Sequence, residues 1–411
     1  MDTPTSINRA RESKAGFLAE ALASNVYWRE RYQQLKVALP GCLSDFEQLP
    51  TVGKDEILAE QGQIPPLGRM AGPGISRLHQ SSGTVGHPLA WGDSPEDWNR
   101  ILDIWDILFD IAGIIRTDRF LFPFSFGPFL GFWSAFEAVA RSGRFCLAGG
   151  GLSTQARLRL IERHHITIVL ATPSYALHMA ETALSMGLNL ASLSVRALIL
   201  AGEPGASRPT LRHRLETAWG ARVLDHHGMT ETGPVTMECA ANPGLLHVVE
   251  SSYIAQISNS QTTGNSGEGE LILTPLDRLA MPLVRYRTGD RVRLASMPCS
   301  CGSPYMGLEG GILGRLDDML IIRGNNIHPE AIENWLWSYP DVCEFRIEVH
   351  GEGSMSRLRL LVELATCANQ YASIQNLKSG FQERFLFQAE IEATDKPLPR
   401  FEMKSRRVVF K

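Results

Sequence analysis

Two serines, a threonine and two glycines fall within ten positions, in His79-Gln80-Ser81-Ser82-Gly83-Thr84-Val85-Gly86-His87-Pro88. Such a loop can turn backbone N–H groups and hydroxyls inward on a polyphosphate. No Gly-Lys-Ser/Thr follows, so it is not a Walker A loop, and an ordinary Ser/Gly turn is the alternative. Cys239, His247, Cys299 and Cys301 offer three sulfurs and one nitrogen, a donor set that suits tetrahedral zinc; buried free thiols beside a surface histidine are the alternative. Gly314 to Gly324, GRLDDMLIIRG, places Asp317 and Asp318 between a Gly-Arg and an apolar strand. That composition fits a hinge, or a polar turn before an edge strand.

The elements that must position these residues follow from periodicity. Apolar runs at 120–124, 144–147, 166–171, 195–201 and 223–226 alternate with helical patterns near 129–142, 153–164, 174–187 and 208–219. The alternation predicts a layered α/β sheet with helices on its faces. Ligands of such sheets sit beyond the carboxyl ends of the strands. Here those ends are Ser125-Phe126-Gly127, Thr172-Pro173-Ser174, Gly202-Glu203-Pro204-Gly205 and His226-His227-Gly228-Met229-Thr230-Glu231, four polar or glycine-rich segments facing one crevice. Phe124, Phe126, Phe129, Trp133, Tyr175 and Met229 cluster by sequence around the same ends. They can sandwich a planar acid or form ordinary core; Phe126, Tyr175 and His226 are the preferred pocket residues.

Upstream, Ala15–Leu35 is helix-prone, Pro40-Gly41 breaks it, and a short helix is expected over 55–60. Strands at 268–274 and 284–294 make a β subdomain carrying Arg285, Arg287 and Asp290. After Gly314 the order is strand 318–322, helix 329–337, strands 343–350 and 357–364, helix 369–385 and strand 388–394. The fold class is therefore α/β: a large layered domain with a β subdomain over 1–314, and a small α+β domain over 315–411. Residues 396–411 hold six Lys/Arg and one Glu.

The chain has 411 residues, 44% hydrophobic and 20% charged, with a net charge of −4. That balance argues against a general binder of nucleic acid or membrane surfaces. Residues 1–33 lack an apolar signal region, and the most apolar helix pattern, 101–115, carries Asp103, Asp106 and Asp110, giving it a wet face. Seven scattered cysteines make no disulfide framework, so a cytoplasmic location is expected. Cys42, Cys146, Cys343 and Cys367 lie in apolar contexts.

Together, Tyr27-Trp28-Arg29, Leu49-Pro50, SSGTVGHP, AGEPG at 201–205, HGMTETGP at 227–234, RYRTGD at 285–290, GRLDDMLIIRGNNIHPEAIE at 314–333 and PRFEMKSRR at 399–407 resemble the phenylacetate-CoA ligase family of the adenylate-forming superfamily. The resemblance spans nearly the whole chain. It implies a two-step reaction: an aromatic acid attacks the α-phosphate of ATP, giving an acyl-adenylate and pyrophosphate, and the thiol of coenzyme A then displaces AMP. It implies that Ser81, Ser82, Gly83, Thr84 and Gly86 hold phosphates, that Gly202, Glu203, Pro204 and His227 line the adenine site, and that Asp290 and Arg315 contact the nucleotide. Thr230, Glu231 (holding Mg²⁺) and Lys404 would be catalytic. Asp317 would be the hinge about which a C-terminal lid turns to bring Gly324 over the thiol tunnel, and Phe126, Tyr175, His226 and Met229 would meet the acyl group. Family members carry a similar Cys-rich insertion for zinc, and homodimers are common among them.

Four positions depart from the pattern: Val85 and His87 replace Thr and Lys in the loop, His227 replaces Tyr, and Met403 replaces Gly. His87 puts less charge on the leaving pyrophosphate. The alternative acceptor is a carrier-protein thiol or an amine, and a further alternative is a nucleotide-binding protein that does not turn over; Glu231, Asp290, Arg315 and Lys404 together argue against the last.

Overall fold

The computed structural model describes residues 3–81, 88–203, 205–258, 263–264, 267–316, 320–322, 325–351, 357–365, 368–399 and 407–411. Ser82, Gly83, Thr84, Gly86, Pro204, Asp317, Gly324 and Lys404 lie outside the described residues, as do Val85, His87, Cys367 and Met403.

The chain opens with helices α1 (Pro4–Ser24), α2 (Val26–Leu35), α3 (Leu43–Phe46) and α4 (Lys54–Gln63). The single helix expected over 15–35 is two helices. Asn25 breaks it: its side-chain oxygen caps α2 by accepting from the Trp28 N–H at 3.3 Å, and its amide donates to the Met70 carbonyl at 2.8 Å. Strands β1 (Arg77–Gln80) and β2 (Ala90–Asp93) then pair antiparallel, with Gln80 opposite Ala90. Helix α5 (Pro95–Ile111) starts earlier than its apolar pattern, because Ser94 and Asp97 form a capping box with Pro95 at the first turn.

The predicted alternation is present: β3 (Arg119–Phe122), α6 (Leu130–Arg141), β4 (Phe145–Ala148), α7 (Thr154–Arg163), β5 (Ile168–Ala171), α8 (Pro173–Ser185), β6 (Ala197–Leu200), α9 (Pro209–Trp219) and β7 (Arg222–Met229). β7 runs past the expected 226 and folds back antiparallel into β8 (Gly233–Glu238) and β9 (Leu245–Val248). A second sheet is built from β10 (Tyr253–Ser258), β11 (Thr263–Gly264), β12 (Glu268–Pro275), β13 (Tyr286–Arg293) and, after β14 (Gly307–Glu309), β15 (Gly314–Arg315). β14 returns to the first sheet, whose order is β14-β9-β8-β7-β6-β5-β3-β4. The second is ordered β11-β10-β12-β13-β15.

The C-terminal part holds the hairpin β16 (Leu320–Ile322) and β17 (Asn325–Ile327), then α10 (Pro329–Trp337), β18 (Val342–His350), β19 (Arg357–Leu364), α11 (Gln370–Phe385), β20 (Glu390–Ala393) and β21 (Val408–Phe410). Its sheet is ordered β20-β19-β18-β21, and the chain's last strand lies parallel to β18.

Helices cover both faces of the eight-stranded sheet. One apolar cluster (Leu158, Leu198, Trp219 and others) packs α7, α8 and α9 on one face and continues into the C-terminal part through Trp335, Leu336 and Phe345. Another, with Trp105, Phe122 and Ile199, packs α5 and α6 on the opposite face. A third seats α1, α2 and α4 against the second sheet through Trp28, Trp91 and Tyr286. Among the described residues no helix is long and apolar enough to cross a membrane.

Candidate active site

The flanks of the Ser/Gly loop are fixed by β1 and β2. Ser81 N–H donates to the Leu89 carbonyl at 2.8 Å, and Leu89 N–H donates to Ser81 Oγ at 3.0 Å. The β7–β8 turn sits against this base: Thr230 Oγ1 donates to the Gln80 carbonyl at 3.4 Å. From the other side Arg278 donates to the Thr230 carbonyl at 2.6 Å while gripping buried Asp93 with two further bonds, at 2.7 and 2.8 Å. Burial alone would raise the Asp93 carboxyl, yet Arg278 and His79 outweigh it and hold the group below the ordinary carboxylate range. The turn is tight because a Cβ on Gly228 would lie 2.8 Å from the Gly233 carbonyl oxygen.

Next in the turn, Glu231 is buried and accepts a hydrogen bond from the Tyr286 hydroxyl at 3.0 Å. Burial, and then the charge of Glu231, push the Tyr286 phenol far above its ordinary range, so it stays protonated and donates. His227 Nε2 donates to Asp290 Oδ2 at 2.9 Å, and its buried Nδ1 has no partner among the described residues. Arg315 stands opposite Asp290 in the β13–β15 register; its guanidinium donates to Asp290 Oδ1 at 3.3 Å and to the Thr288 carbonyl at 3.2 Å. Thr230, Glu231, His227, Asp290 and Arg315 are thus tied together at one end of β7, beside the base of the Ser/Gly loop.

The neighbouring strand ends complete the crevice. Gly202 turns at φ +90°, a conformation that favours glycine. Glu203 reaches the first turn of α8, accepting from the Ser174 N–H at 2.6 Å and from its hydroxyl. Thr172 caps that helix, and Pro173 fills its first turn.

The aromatic residues divide. Phe126 lies 4.8 Å from Trp133 and 5.6 Å from Phe124 between ring centroids, against the α5–α6 face. The His226 ring lies tilted at 45° against Trp105, 4.6 Å between centroids, over the same face. Its Nδ1–H donates to the Thr236 carbonyl at 2.6 Å; burial takes its pKa down to about 4, so Nε2 is a neutral acceptor. Tyr175 is not with them. It is buried on the opposite face among Leu158 and Leu177, and its hydroxyl meets Arg157 and, at 3.1 Å, Thr154 Oγ1. Met229 packs toward the cluster of N-terminal helices.

Cys239, His247, Cys299 and Cys301 converge at the β8, β9 and β14 edge, with all donor atoms within 4.8 Å of one another. Cys239 Sγ lies 3.5 Å from Cys299 Sγ, and Cys301 Sγ lies 3.4 Å from His247 Nε2. A tetrahedral zinc with bonds of about 2.0–2.3 Å has ligand–ligand edges of about 3.5–3.8 Å, which these two separations approach, and three sulfurs with one imidazole nitrogen are a donor set suited to that ion. His247 Nδ1 faces the Tyr305 carbonyl at 3.4 Å, which aims Nε2 inward. Cys42, expected in an apolar context, is instead exposed beside Ser44.

Reading by motif missed Tyr286 and the Asp93–Arg278 pair. Tyr286 stands inside RYRTGD, and a phenol among charged neighbours was its only signal. Asp93 and Arg278 lie far apart in sequence and left none.

The AMP-binding enzyme family model matches residues 99–265, and the AMP-binding enzyme C-terminal domain model matches 324–411. The phenylacetate-coenzyme A ligase of Pseudomonas putida is 31% identical over 347 residues, covering 82% of this chain and 75% of that protein. That of Escherichia coli K12 is 30% identical over 331 residues, covering 78% and 74%. Among solved structures, 2-hydroxyisobutyryl-CoA ligase in its postadenylation state superposes with a TM-score of 0.90 at 24% identity, over 100% of this chain and 90% of that one. The same ligase with CoA in its thioesterification state gives 0.71 at 25% identity, over 100% and 94%.

Proposed function

The chain belongs to the phenylacetate-CoA ligase family of adenylate-forming enzymes, ATP-dependent ligases that activate an acid and join it to coenzyme A, and on that premise we propose that its acid is aromatic and that its site residues divide the work as follows. Ser81 and the loop residues Ser82, Gly83, Thr84 and Gly86 hold the β,γ-phosphates. Gly202, Glu203 and Pro204 border the adenine with His227, whose Nδ1, without a partner among the described residues, accepts a donor from the base. Asp290, steadied by His227 and Arg315, keeps lone pairs for the ribose hydroxyls.

In the first step the acid's carboxylate oxygen bonds to the α-phosphorus and pyrophosphate leaves. Lys404 places its charge on the carboxylate and α-phosphate. Glu231, oriented by Tyr286, offers an oxygen ligand for Mg²⁺, which when bound offsets charge on the phosphates. In the second step the CoA sulfur attacks the acyl carbon and AMP leaves. Asp317 is the hinge between residues 1–314 and 315–411 for that change, and Gly324 then borders the thiol path. Phe126, Trp133 and His226 form the wall toward an aromatic ring; Tyr175 lies away from it. Cys239, His247, Cys299 and Cys301 hold a structural zinc.

The observation that carries this reading is the convergence of Thr230, Glu231, His227, Asp290 and Arg315 at the base of the Ser/Gly loop. The test is pyrophosphate release over a panel of aryl and arylacetic acids, with and without CoA. Release confined to certain aromatic acids and accelerated by CoA is expected. Release that CoA does not accelerate points to a carrier-protein or amine acceptor, and release with aliphatic acids alone removes the aromatic assignment.

A further inference from the structure

Arg407 is the first described residue after 400–406, and it enters β21 with its backbone already anchored: the Ile347 N–H donates to its carbonyl at 2.7 Å. Its side chain is buried at 8% exposure. Nε donates to Glu344 Oε1 at 2.7 Å and Nη2 to Glu344 Oε2 at 3.3 Å, inside the C-terminal part. The same Nη2 donates across to Ser174 Oγ at 3.1 Å, on the first turn of α8. Trp337 and Phe345 lie 5.2 and 5.1 Å from the guanidinium carbon and keep water away. Burial works against the charge, but Glu344 and then Glu203 outweigh it and hold the guanidinium protonated. Glu344, Arg407, Ser174 and Glu203 therefore form one polar chain from the C-terminal sheet to the carboxyl end of β6.

Other polar contacts among the described residues cross the same boundary; apart from those of Arg315 and Leu316 at the boundary itself, they include Arg208 to Glu333 at 3.1 Å, and Arg214 to the Val342 carbonyl at 3.1 Å. Both start on or beside α9, away from the crevice. Arg407 differs because its far partner, Ser174, is bonded to Glu203 of the nucleotide-side loop, and because it follows Lys404 by three positions, a stretch of at most about 11 Å.

We propose that Arg407 is a positioning residue for the adenylate-forming step, a catch that holds the C-terminal part in the arrangement seen here by bridging Glu344 to Ser174 and Glu203, and that lets go of Ser174 and Glu203 for thioester formation. This rests on the roles given above to Lys404 and to the turning of the C-terminal part. The arrangement matches a postadenylation ligase at a TM-score of 0.90, against 0.71 for the same ligase in its thioesterification state. The bond to Glu344 lies within one part and survives any rigid turn. The bond to Ser174 spans the boundary and does not. The catch therefore favours one half-reaction and is neutral or opposed to the other.

The experiment compares Ser174→Ala and Arg407→Lys with the wild type in both halves of the reaction. Ser174→Ala leaves the C-terminal part untouched, so it remains informative if Arg407→Lys folds poorly. Losing one charge-assisted bond is expected to lower acid-dependent ATP–pyrophosphate exchange about tenfold in both variants, in kcat rather than in KM for ATP. Thioester formation from supplied acyl-adenylate and CoA stays within about twofold of wild type. An equal fall in both halves, or no fall in exchange, overturns the proposal. If the wild type itself shows no exchange with any acid, the proposed function has failed and the catch is judged by geometry. Fluorophores placed through non-natural residues at exposed Leu184 and Leu386 report the distance between the two parts. Ser174→Ala should shift or broaden that distance, and an unchanged distribution overturns the catch.

Discussion

Glu231 takes its pose from Tyr286, a residue on another sheet, and this makes the phenol a sensitive place to probe the site. Tyr286→Phe keeps the ring in its core and removes one hydrogen bond to a carboxylate, worth about 1.5–3 kcal/mol. The Mg²⁺ concentration for half-maximal pyrophosphate exchange should rise several-fold, read from a magnesium titration at saturating ATP. His226 supports a second test. Burial lowers its pKa from 6.5 to about 4, so between those values the unfolded chain binds a proton that the folded one refuses. Stability therefore increases with pH over that window, and up to about 3 kcal/mol is lost as pH falls from 6.5 to 4. In His226→Asn, whose amide can still donate to Thr236, the urea midpoint should vary less between pH 4.5 and 7 than in wild type. At this scale the sequence singled out Asp290 and Arg315 from two separate motifs, and the two side chains meet in the fold. Tyr175 shows the limit. Pro173 starts α8 at once, and a helix turns 100° per residue, so Ser174 faces the boundary while Tyr175 turns into the core.

The elements divide along the same line. β3, β5 and β6 were readable because a parallel strand buried on both faces is a continuous apolar run. β8 was not: Gly233–Glu238 is buried throughout, yet carries Pro234, Thr236 and Glu238, the last paired with Arg212 at 2.5 Å. Nothing in that stretch alone announces a strand. β1 and β2 hid for another reason, since Arg77–Gln80 has no alternation and is a strand only by pairing with β2. Cys239, His247, Cys299 and Cys301, the proposed zinc donors, bring the end of β8 and β9 together with the segment before β14. Purified protein should contain about one zinc per chain by elemental analysis. Removing it by chelation, or by Cys299→Ser, should lower the melting temperature by about 2–4 °C for each kcal/mol lost. Protein purified without metal and with an unchanged melting temperature would remove zinc from this edge.

Across the whole molecule, the apolar cluster under α7–α9 runs on into α10 and β18, so the two parts share buried surface as well as the polar chain through Arg407. On the proposed course, a turn of the C-terminal part between half-reactions would break that contact, and the proposed hinge at Asp317 would absorb it. Asp317→Pro should leave pyrophosphate exchange within about twofold and lower thioester formation tenfold or more, since a fixed φ stops the turn. Lys404→Ala should do the reverse. Rapid-quench measurement of each half-reaction decides both, and parallel losses would remove the assigned roles.

The sheet order also bears on how the protein is made. β9 stays an open edge until β14 pairs with it, and residues 249–306 must be synthesised in between. At about 5–20 residues per second, a ribosome leaves that edge uncovered for several seconds. During that interval Leu245, Leu246 and Val248 offer a free strand to any neighbouring nascent chain. Polysome crowding and a slow codon run between 249 and 306 should therefore lower soluble yield more than the same run placed after residue 309.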